Sequence, residues 1–328
     1  MTAALPYAVQ EAFQRFVTCE LTTIDSRGRP ITWPVTPFYA QGDPHISVTT
    51  GLGWPKKARD ARRHPRVALL FSDPTGSDIA QPSMVLVQGT AEVDDRDLDA
   101  NRQRYARESA AKLGRRGEAR PPGSRFDWYF TRIYIHVRPE RVHVWRGGDC
   151  EAEPELIELP ADRAEPQSGD IGSNPAPAPG SPVSPRPARP ARTGSIARLR
   201  ELGRRYDTAV LSLVAHDGYP FAIRVPVSTD RRGRTIRIDA QPAPTLPLLP
   251  GSACVTAHDH DEKLAWSRNF QVRGQLAGDR SGWTVTPYQV VDGFELPPVG
   301  PITRAVSNFR KIRRFRRTAK AERARRAG

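Results

Sequence analysis

The chain has 328 residues, and its 50 lysine and arginine residues outnumber its 36 aspartate and glutamate residues, which gives a net charge of +14. Hydrophobic residues make up 38% of the chain, enough for a core in each of two domains, and no stretch approaches the roughly 18 apolar residues of a membrane span. The three cysteines are widely separated, which argues against a disulfide scaffold and a zinc ribbon. The N-terminus has no basic segment followed by an apolar one, which argues against a signal peptide. We therefore expect a cytoplasmic protein.

The first half reads as a helix followed by short strands. Val9, Phe13 and Phe16 recur at helical spacing, and a hairpin follows with strands at 21–24 and 30–38 and a turn at 25–28. The next predicted elements are a strand at 45–49, a short helix after residue 55, strands at 67–71 and 84–93, a helix at 97–113 and a strand at 131–137 that continues to 144. Short turns between strands and few long helices predict an antiparallel barrel.

A candidate phosphate site lies where the third strand meets the short helix. Thr49 and Thr50 end the strand, Trp54 follows a glycine-containing turn, and Lys56 and Lys57 lie in the first helical turn. Free N–H groups and the positive end of the helix dipole attract anions, whereas two cations there alone are unfavourable by ~0.3–1 kcal/mol each. The residue types allow a phosphate site or a basic surface turn.

A proline-rich segment divides the chain. Ten prolines lie between residues 154 and 190, and apolar residues show no periodicity from 175 to 190. Such a composition cannot bury enough surface to offset the entropy of ordering. We therefore predict a domain at 1–150, a disordered linker at 151–194, and a second domain at 195–303.

The two halves show ordered sequence matches. An offset of 190 pairs Gly28 with Gly218, and an offset of 185 pairs Gly89 with Gly274 within VQG and VRG. A helix at 196–206 precedes the second set of strands, as in the first half. Ordered glycine matches predict a diverged duplication.

The excess charge is concentrated in a basic C-terminal tail at 304–328. Eleven basic residues there accompany one acidic residue, Glu322. We expect a solvated helix or a frayed end. Nucleic-acid binding is the less favoured alternative, because only Phe309 and Phe315 are available to stack on bases.

Three segments resemble the pyridoxamine 5′-phosphate oxidase-like, flavin-binding split-barrel superfamily: the hairpin at 21–34, PKKA at 55–58 followed by PRVALLF at 65–71, and VLVQGTAEV at 85–93. The resemblance implies a mainly β (α+β) fold of two tandem split β-barrels packed as a pseudo-dimer, with short helices. It also implies FMN, or a deazaflavin coenzyme, bound at the interface. The resemblance leaves open whether the pseudo-dimers assemble into further homo-oligomers.

The resemblance assigns Lys57 to the phosphate-binding lysine and Lys56 to the arginine beside it. The cofactor-binding candidates it implies are Thr49, Thr50, Trp54, Lys56, Lys57, Gln88 and Trp33. The second half reads QPAPTLP at 241–247, without a cation, so we expect only the first half to hold a phosphate. The candidates for a contribution from the second half are Arg224, Trp266, Arg268 and Asn269.

The function implied is a flavin-dependent oxidoreductase that transfers hydride to or from a small organic substrate; its catalytic residues stay unassigned. One alternative is a deazaflavin-dependent reductase, in which Arg59, Arg62 or Arg63 extends the basic patch. Another is a non-catalytic protein that binds flavin or haem. We expect no metal site, because His258 and His260 lie in a polar, turn-like stretch.

Overall fold

The computed structural model describes residues 5–114, 126–160, 193–230, 232, 234–279, 282–293 and 301–327. The helices are α1 (Tyr7–Arg15), α2 (Lys56–Arg63), α3 (Leu98–Leu113), α4 (Asp127–Phe130), α5 (Thr193–Arg205) and α6 (Pro301–Ala327). The strands of the first half are β1 (Cys19–Ile24), β2 (Pro30–Val35), β3 (Ile46–Gly51), β4 (Arg66–Phe71), β5 (Met84–Asp94), β6 (Arg132–Trp145) and β7 (Glu155–Glu158). Those of the second half are β8 (Thr208–Val214), β9 (Pro220–Thr229), β10 (Ile236–Ile238), β11 (Gly251–His260), β12 (Ser267–Asp279) and β13 (Gly282–Asp292).

The first half forms one antiparallel sheet in the order β2-β1-β4-β5-β6-β3, with β7 paired to β6. The predicted opening hairpin is present, and its turn needs Gly28, whose φ is 73°. Asp25 Oδ1 accepts hydrogen bonds from the backbone N–H groups of Arg27 and Arg29 within that turn. An isolated bridge between Phe38 and Ser47 connects the segment after β2 to β3, so the two ends of the sheet approach each other.

Strands β4 and β5 are buried on both faces. Val67 and Leu69 point into the core of the first half, whereas Ala68, Leu70 and Leu86 belong to a cluster shared with the second half. Alternate residues of a strand point to opposite faces of the sheet, so a strand between two cores is apolar on both faces. The apolar run at 67–71 is explained by this position.

The second half is a closed barrel in the order β10-β13-β12-β11-β8-β9, the same sequence of strands as in the first sheet when β8 is matched to β1. A β-bulge lies at Gln88/Gly89 in β5 and another at Arg273/Gly274 in β12, the positions that the sequence offset pairs. A duplication would produce these agreements, and the duplication itself stays a prediction. His258 and His260 lie on strand β11; the prediction of a turn-like stretch there was wrong.

The two halves pack through their sheets. Strands β1, β2, β4 and β5 contact β8, β9, β11 and β12. Thr32 Oγ1 lies 2.5 Å from Ser212 Oγ, and Gln271 Nε2 donates to the Thr32 carbonyl at 3.0 Å. The prediction of a mainly β fold with two barrel-like units packed together is confirmed.

Part of the predicted linker is ordered. Residues 155–158 form β7, whose Ile157 pairs with Val142 of β6. The remainder of the proline-rich segment, 161–192, lies outside the described residues. Within the described parts of the chain, no helix is both long and apolar enough to cross a membrane.

The C-terminal segment is a docked helix, so the expectation of a solvated or frayed end was wrong. Ala319 and Glu322 of α6 are buried, and Ile312 and Phe315 pack against the core of the first half. Arg323 forms an ion pair with Asp127 of α4 at 2.9 Å. Apolar residues spaced three and four apart give α6 one buried stripe despite its high charge.

Candidate functional site

The predicted site centres on the turn between β3 and α2. Strand β3 ends at Gly51, which lies opposite Arg132 at the start of β6. Helix α2 begins at Lys56; among the described residues, Pro55 provides no side-chain cap, and the first turn contains no acidic residue. The helix end therefore keeps its positive dipole without a neutralising side chain of its own.

The two adjacent lysines have different environments. Lys56 is half-exposed, and its Nζ lies 2.5 Å from Oδ2 of Asp60 one turn along the same helix. The Lys57 side chain points inward, with its Nζ 5.9 Å from the ring centroid of Trp33 on β2. Of these two lysines, Lys57 is the one whose ammonium group is not paired with a carboxylate of the described residues.

Lys57 is half-buried and lies close to a buried cation, Arg132. Burial, and then the charge of Arg132, lowers the pKa of Lys57 to about 8. In the described part of the chain, neither Lys57 nor Arg132 forms an ion pair with a carboxylate. A half-buried ammonium group close to a buried guanidinium, without a counterion in the described structure, is unfavourable, so this arrangement favours binding of an anion.

Tyrosine residues surround Arg132. Its Nη2 donates to the Tyr105 hydroxyl at 2.7 Å, and the guanidinium carbon lies 4.1 Å from the Tyr105 ring centroid and 4.3 Å from that of Tyr129. The Arg132 Nε is buried and has no hydrogen-bond partner within the described structure. Aromatic faces stabilise the cation but leave this N–H donor available to an acceptor.

The remaining candidates on this turn have structural contacts. The Thr50 hydroxyl donates to the Trp54 carbonyl at 3.0 Å, which closes the turn. The Trp54 ring lies 5.4 Å from that of Trp128 and 4.8 Å from that of Phe315 on α6. Thr49 pairs with Tyr134 across β3 and β6 and is nearly buried.

Gln88 lies at the contact between the two halves. Its Nε2 donates to the Pro220 carbonyl at 2.8 Å, and its Oε1 lies 3.3 Å from His143 Nε2. Its amide thus has partners from both halves. The structure brings together Lys57 and Trp33 from the candidate set, and it places Gln88 in the packing between the sheets.

The candidates of the second half form ion pairs and turn contacts. Arg224 on β9 reaches the first half, where its Nη2 donates to Glu20 Oε1 at 3.0 Å. Arg268 pairs with Glu201 of α5 at 2.6 Å. The Trp266 backbone N–H donates to Asp261 within a turn, and Asn269 lies on β12, opposite His258.

Sequence reasoning missed Arg132. Its contact with the Lys57 region depends on the pairing of β6 with β3, in which Arg132 lies opposite Gly51, 81 positions earlier in the chain. The available sequence signal was weak, because Arg132 opens an alternating strand in which an arginine is ordinary. What identifies Arg132 as a candidate is its position opposite Gly51, the residue at which β3 ends.

A second basic feature adjoins α2. A cavity of about 370 Å³ is lined by Arg59, Arg62, Arg63 and Arg325. Burial, followed by the charges of Arg325 and Arg326, lowers the pKa of Arg59. Carboxylates of Asp60, Asp95 and Glu322 pair with these arginines. The lining is therefore basic, although its charges are partly neutralised.

Comparisons with known proteins point to one family for the first half. A family model described as pyridoxamine 5′-phosphate oxidase matches residues 5–146. No curated protein matches the chain. One similar solved structure is a conserved hypothetical protein of Mycobacterium tuberculosis, with 20% identity, coverage of 44% of this chain and 86% of that chain, and a TM-score of 0.34.

Two further similar structures are an F420 reductase and a pyridoxamine 5′-phosphate oxidase-related, FMN-binding protein of Nostoc punctiforme. The F420 reductase is 18% identical, with coverage of 42% of this chain and 98% of that chain and a TM-score of 0.33. The Nostoc protein is 17% identical, with coverage of 44% of this chain and 85% of that chain and a TM-score of 0.32. Each similarity covers less than half of this chain.

Proposed function

We propose that this protein is a flavin-dependent oxidoreductase that binds FMN in its first half, where residues 5–146 match the pyridoxamine 5′-phosphate oxidase family model. The observation that carries the proposal is the pair of inward-facing cations, Lys57 and Arg132, beside the uncapped start of α2. A phosphate monoester is the group that such a pair binds best.

The residues present fit a phosphate. Arg132 offers a buried Nε–H donor without a partner in the described structure, and Lys57 offers an ammonium group without a carboxylate. Trp33 on β2 provides an aromatic surface 5.9 Å from the Lys57 ammonium group. A dianionic phosphate neutralises both cations, which removes the unfavourable interaction between them.

A bound flavin supplies the hydride chemistry, and the protein supplies binding and electrostatics. Lys57 and Arg132 hold the phosphate, and the Tyr105 hydroxyl fixes the Arg132 guanidinium so that its Nε–H keeps one direction. The second half closes the sheet face through β8, β9, β11 and β12 and keeps water from it. The substrate is a small organic molecule that accepts or donates hydride.

The test compares two neighbouring lysines. Replacing Lys57 with glutamine is expected to weaken FMN binding by about 1.5–3 kcal/mol, or roughly 10- to 150-fold, because a charge-assisted hydrogen bond to phosphate is lost. Replacing Lys56 with glutamine is the matched control, since Lys56 is already paired with Asp60. Titration with FMN, followed by quenching of flavin fluorescence, measures both dissociation constants.

Riboflavin, which has no phosphate, gives a second control. Its affinity should be the same for the wild-type protein and for Lys57→Gln. Equal losses of FMN and riboflavin affinity would show that Lys57 acts on the fold or the ring and not on the phosphate. No binding of FMN to the wild-type protein would contradict the proposal itself.

The low pKa of Lys57 predicts a pH dependence. In the free protein its pKa is about 8, so the ammonium form is lost above that pH, and phosphate binds only the ammonium form strongly. We expect FMN affinity to be constant from pH 6.5 to 7.5 and to fall by up to about tenfold per pH unit above 8. The Lys57→Gln variant should show no such fall; a wild-type affinity that is flat to pH 9.5 would contradict the assignment.

A deazaflavin coenzyme is the second candidate, and the arginine-lined cavity favours it. Arg62 and Arg63 on α2 lie one to two turns from Lys57, so an anionic extension of a cofactor bound at Lys57 meets a basic lining. The mass and absorption spectrum of the molecule that co-purifies distinguish the two cofactors. Steady-state turnover with a reduced cofactor distinguishes either enzyme from a protein that only binds flavin or haem.

A further inference from the structure

Three potential metal ligands meet between the two halves. Asp73 follows β4 in the first half, and His258 and His260 point to the same face of β11 in the second half. One ligand atom from each residue lies within 4.8 Å of the other two. Both histidines are buried, and their rings are parallel, with an interplanar angle of 2°.

Glu20 determines which nitrogen of His258 is free. The His258 Nε2 lies 2.5 Å from Glu20 Oε1, and an ionised carboxylate only accepts, so Nε2 carries the hydrogen. Arg224 Nη2 donates to the same oxygen at 3.0 Å and also lies 2.9 Å from His258 Nε2, so the guanidinium and the imidazole N–H share the carboxylate as their acceptor. The His258 Nδ1 is buried without a hydrogen-bond partner among the described residues, and it lies 3.7 Å from Asp73 Oδ2.

A backbone carbonyl orients His260 in the same way. Its Nδ1 lies 2.9 Å from the Asp261 carbonyl oxygen, which only accepts, so Nδ1 carries the hydrogen. The Nε2 of His260 therefore has its lone pair available. This nitrogen lies 3.5 Å from Asp73 Oδ2 and 2.8 Å from the Thr18 hydroxyl.

We propose that His258 Nδ1, His260 Nε2 and Asp73 Oδ2 bind a divalent transition-metal ion, with zinc as the best-fitting ion. Bonds of about 2.0–2.2 Å in a tetrahedral site place ligand atoms roughly 3.3–3.6 Å apart, close to the two distances to Asp73. The two imidazole nitrogens lie within 4.8 Å of each other and must approach to about 3.3–3.6 Å when the ion binds. The fourth position is taken by water or by the Thr18 hydroxyl.

The outer contacts match those of known metal sites. A ligating imidazole donates its other N–H to a carboxylate or to a backbone carbonyl, and here Glu20 and the Asp261 carbonyl accept these two hydrogens. Asp73 belongs to the first half and both histidines to the second. The ion therefore joins the two halves, and binding it stabilises their packing.

The test uses the full chain and zinc alone. Protein depleted of metal by a chelator is titrated with Zn²⁺, and elemental analysis counts the ions retained after dialysis. We expect one zinc per chain and a thermal midpoint that rises with zinc concentration. His260→Gln and Asp73→Asn, one from each half, are each expected to weaken zinc binding at least 30-fold.

His216→Gln is the matched control, because His216 is exposed in a turn of the second half. This variant should leave zinc affinity unchanged, and its thermal midpoint should rise with zinc concentration as in the wild-type protein. Thermal unfolding without zinc identifies any variant that fails to fold; in that case its partner variant decides. Zinc binding that is equally tight in both ligand variants, or the absence of binding to the wild-type protein, would overturn the proposal and leave an ion-pair cluster.

Discussion

Replacing Arg224 with methionine is expected to lower the free energy of unfolding by about 3–5 kcal/mol, because it leaves a buried carboxylate without its ion-pair partner. Glu20 is fully buried on β1, and the Arg224 guanidinium reaches it from β9 of the second half at 3.0 Å. Arg224 also donates from its Nε to the Ser72 hydroxyl at 3.0 Å. Urea unfolding followed by circular dichroism measures the change.

The control for this prediction is another arginine on the same barrel. Arg237→Met removes an exposed pair with Asp239, so its expected cost is below about 1 kcal/mol. The double variant Glu20→Gln with Arg224→Met should lose less than the sum of the single variants, because no charge is left unpaired. Strict additivity, or equal losses for Arg224→Met and Arg237→Met, would contradict a buried ion pair between the halves.

Replacing Gly89 with alanine is expected to destabilise the protein by about 3 kcal/mol or more, because the added methyl group meets backbone that cannot move freely. A Cβ at Gly89 would lie 2.0 Å from the Arg138 carbonyl oxygen across the bulge between β5 and β6. The relevant measurement is the midpoint of urea unfolding together with its slope.

The corresponding glycine of the second half is expected to behave in the same way. A Cβ at Gly274 would lie 2.4 Å from Val285 Cγ1 and 2.7 Å from the Thr286 carbonyl oxygen. Gly114→Asn is the control, since Gly114 has a φ of 60° and a ψ of 32°, the left-handed conformation that asparagine adopts most readily, and nothing lies within 4 Å of its Cβ position. Wild-type stability of both Gly89→Ala and Gly274→Ala would show that the strands separate easily at the bulges.

Local patterns predicted most of the secondary structure. The helix predicted at 97–113 is α3 (Leu98–Leu113), and the side chain of Asp97 accepts from the N–H groups of Asp99 and Ala100 as its cap. The short helix after Pro55 is α2, and the alternating strand at 84–93 is β5. These elements follow from periodicity, caps and turns, which act within a few residues.

The candidate site depended on packing that local patterns do not contain. Lys56 and Lys57 are neighbours in sequence, yet one faces Asp60 and solvent while the other faces Trp33 and Arg132. A helix turns by about 100° per residue, so only the position of α2 against the sheet decides which lysine points inward. Arg132 enters the site because β6 pairs with β3, and this pairing is a long-range contact.

By itself, the sequence determined most of the strand and helix pattern, and it showed the similarity of residues 5–146 to the pyridoxamine 5′-phosphate oxidase family model. Only the tertiary structure decided that α6 docks through its few apolar residues, and that Asp73 meets His258 and His260 across 185 positions of the chain. The physical reason is that periodicity and capping are local, whereas the partner of a buried charge or an apolar face depends on which surfaces pack together.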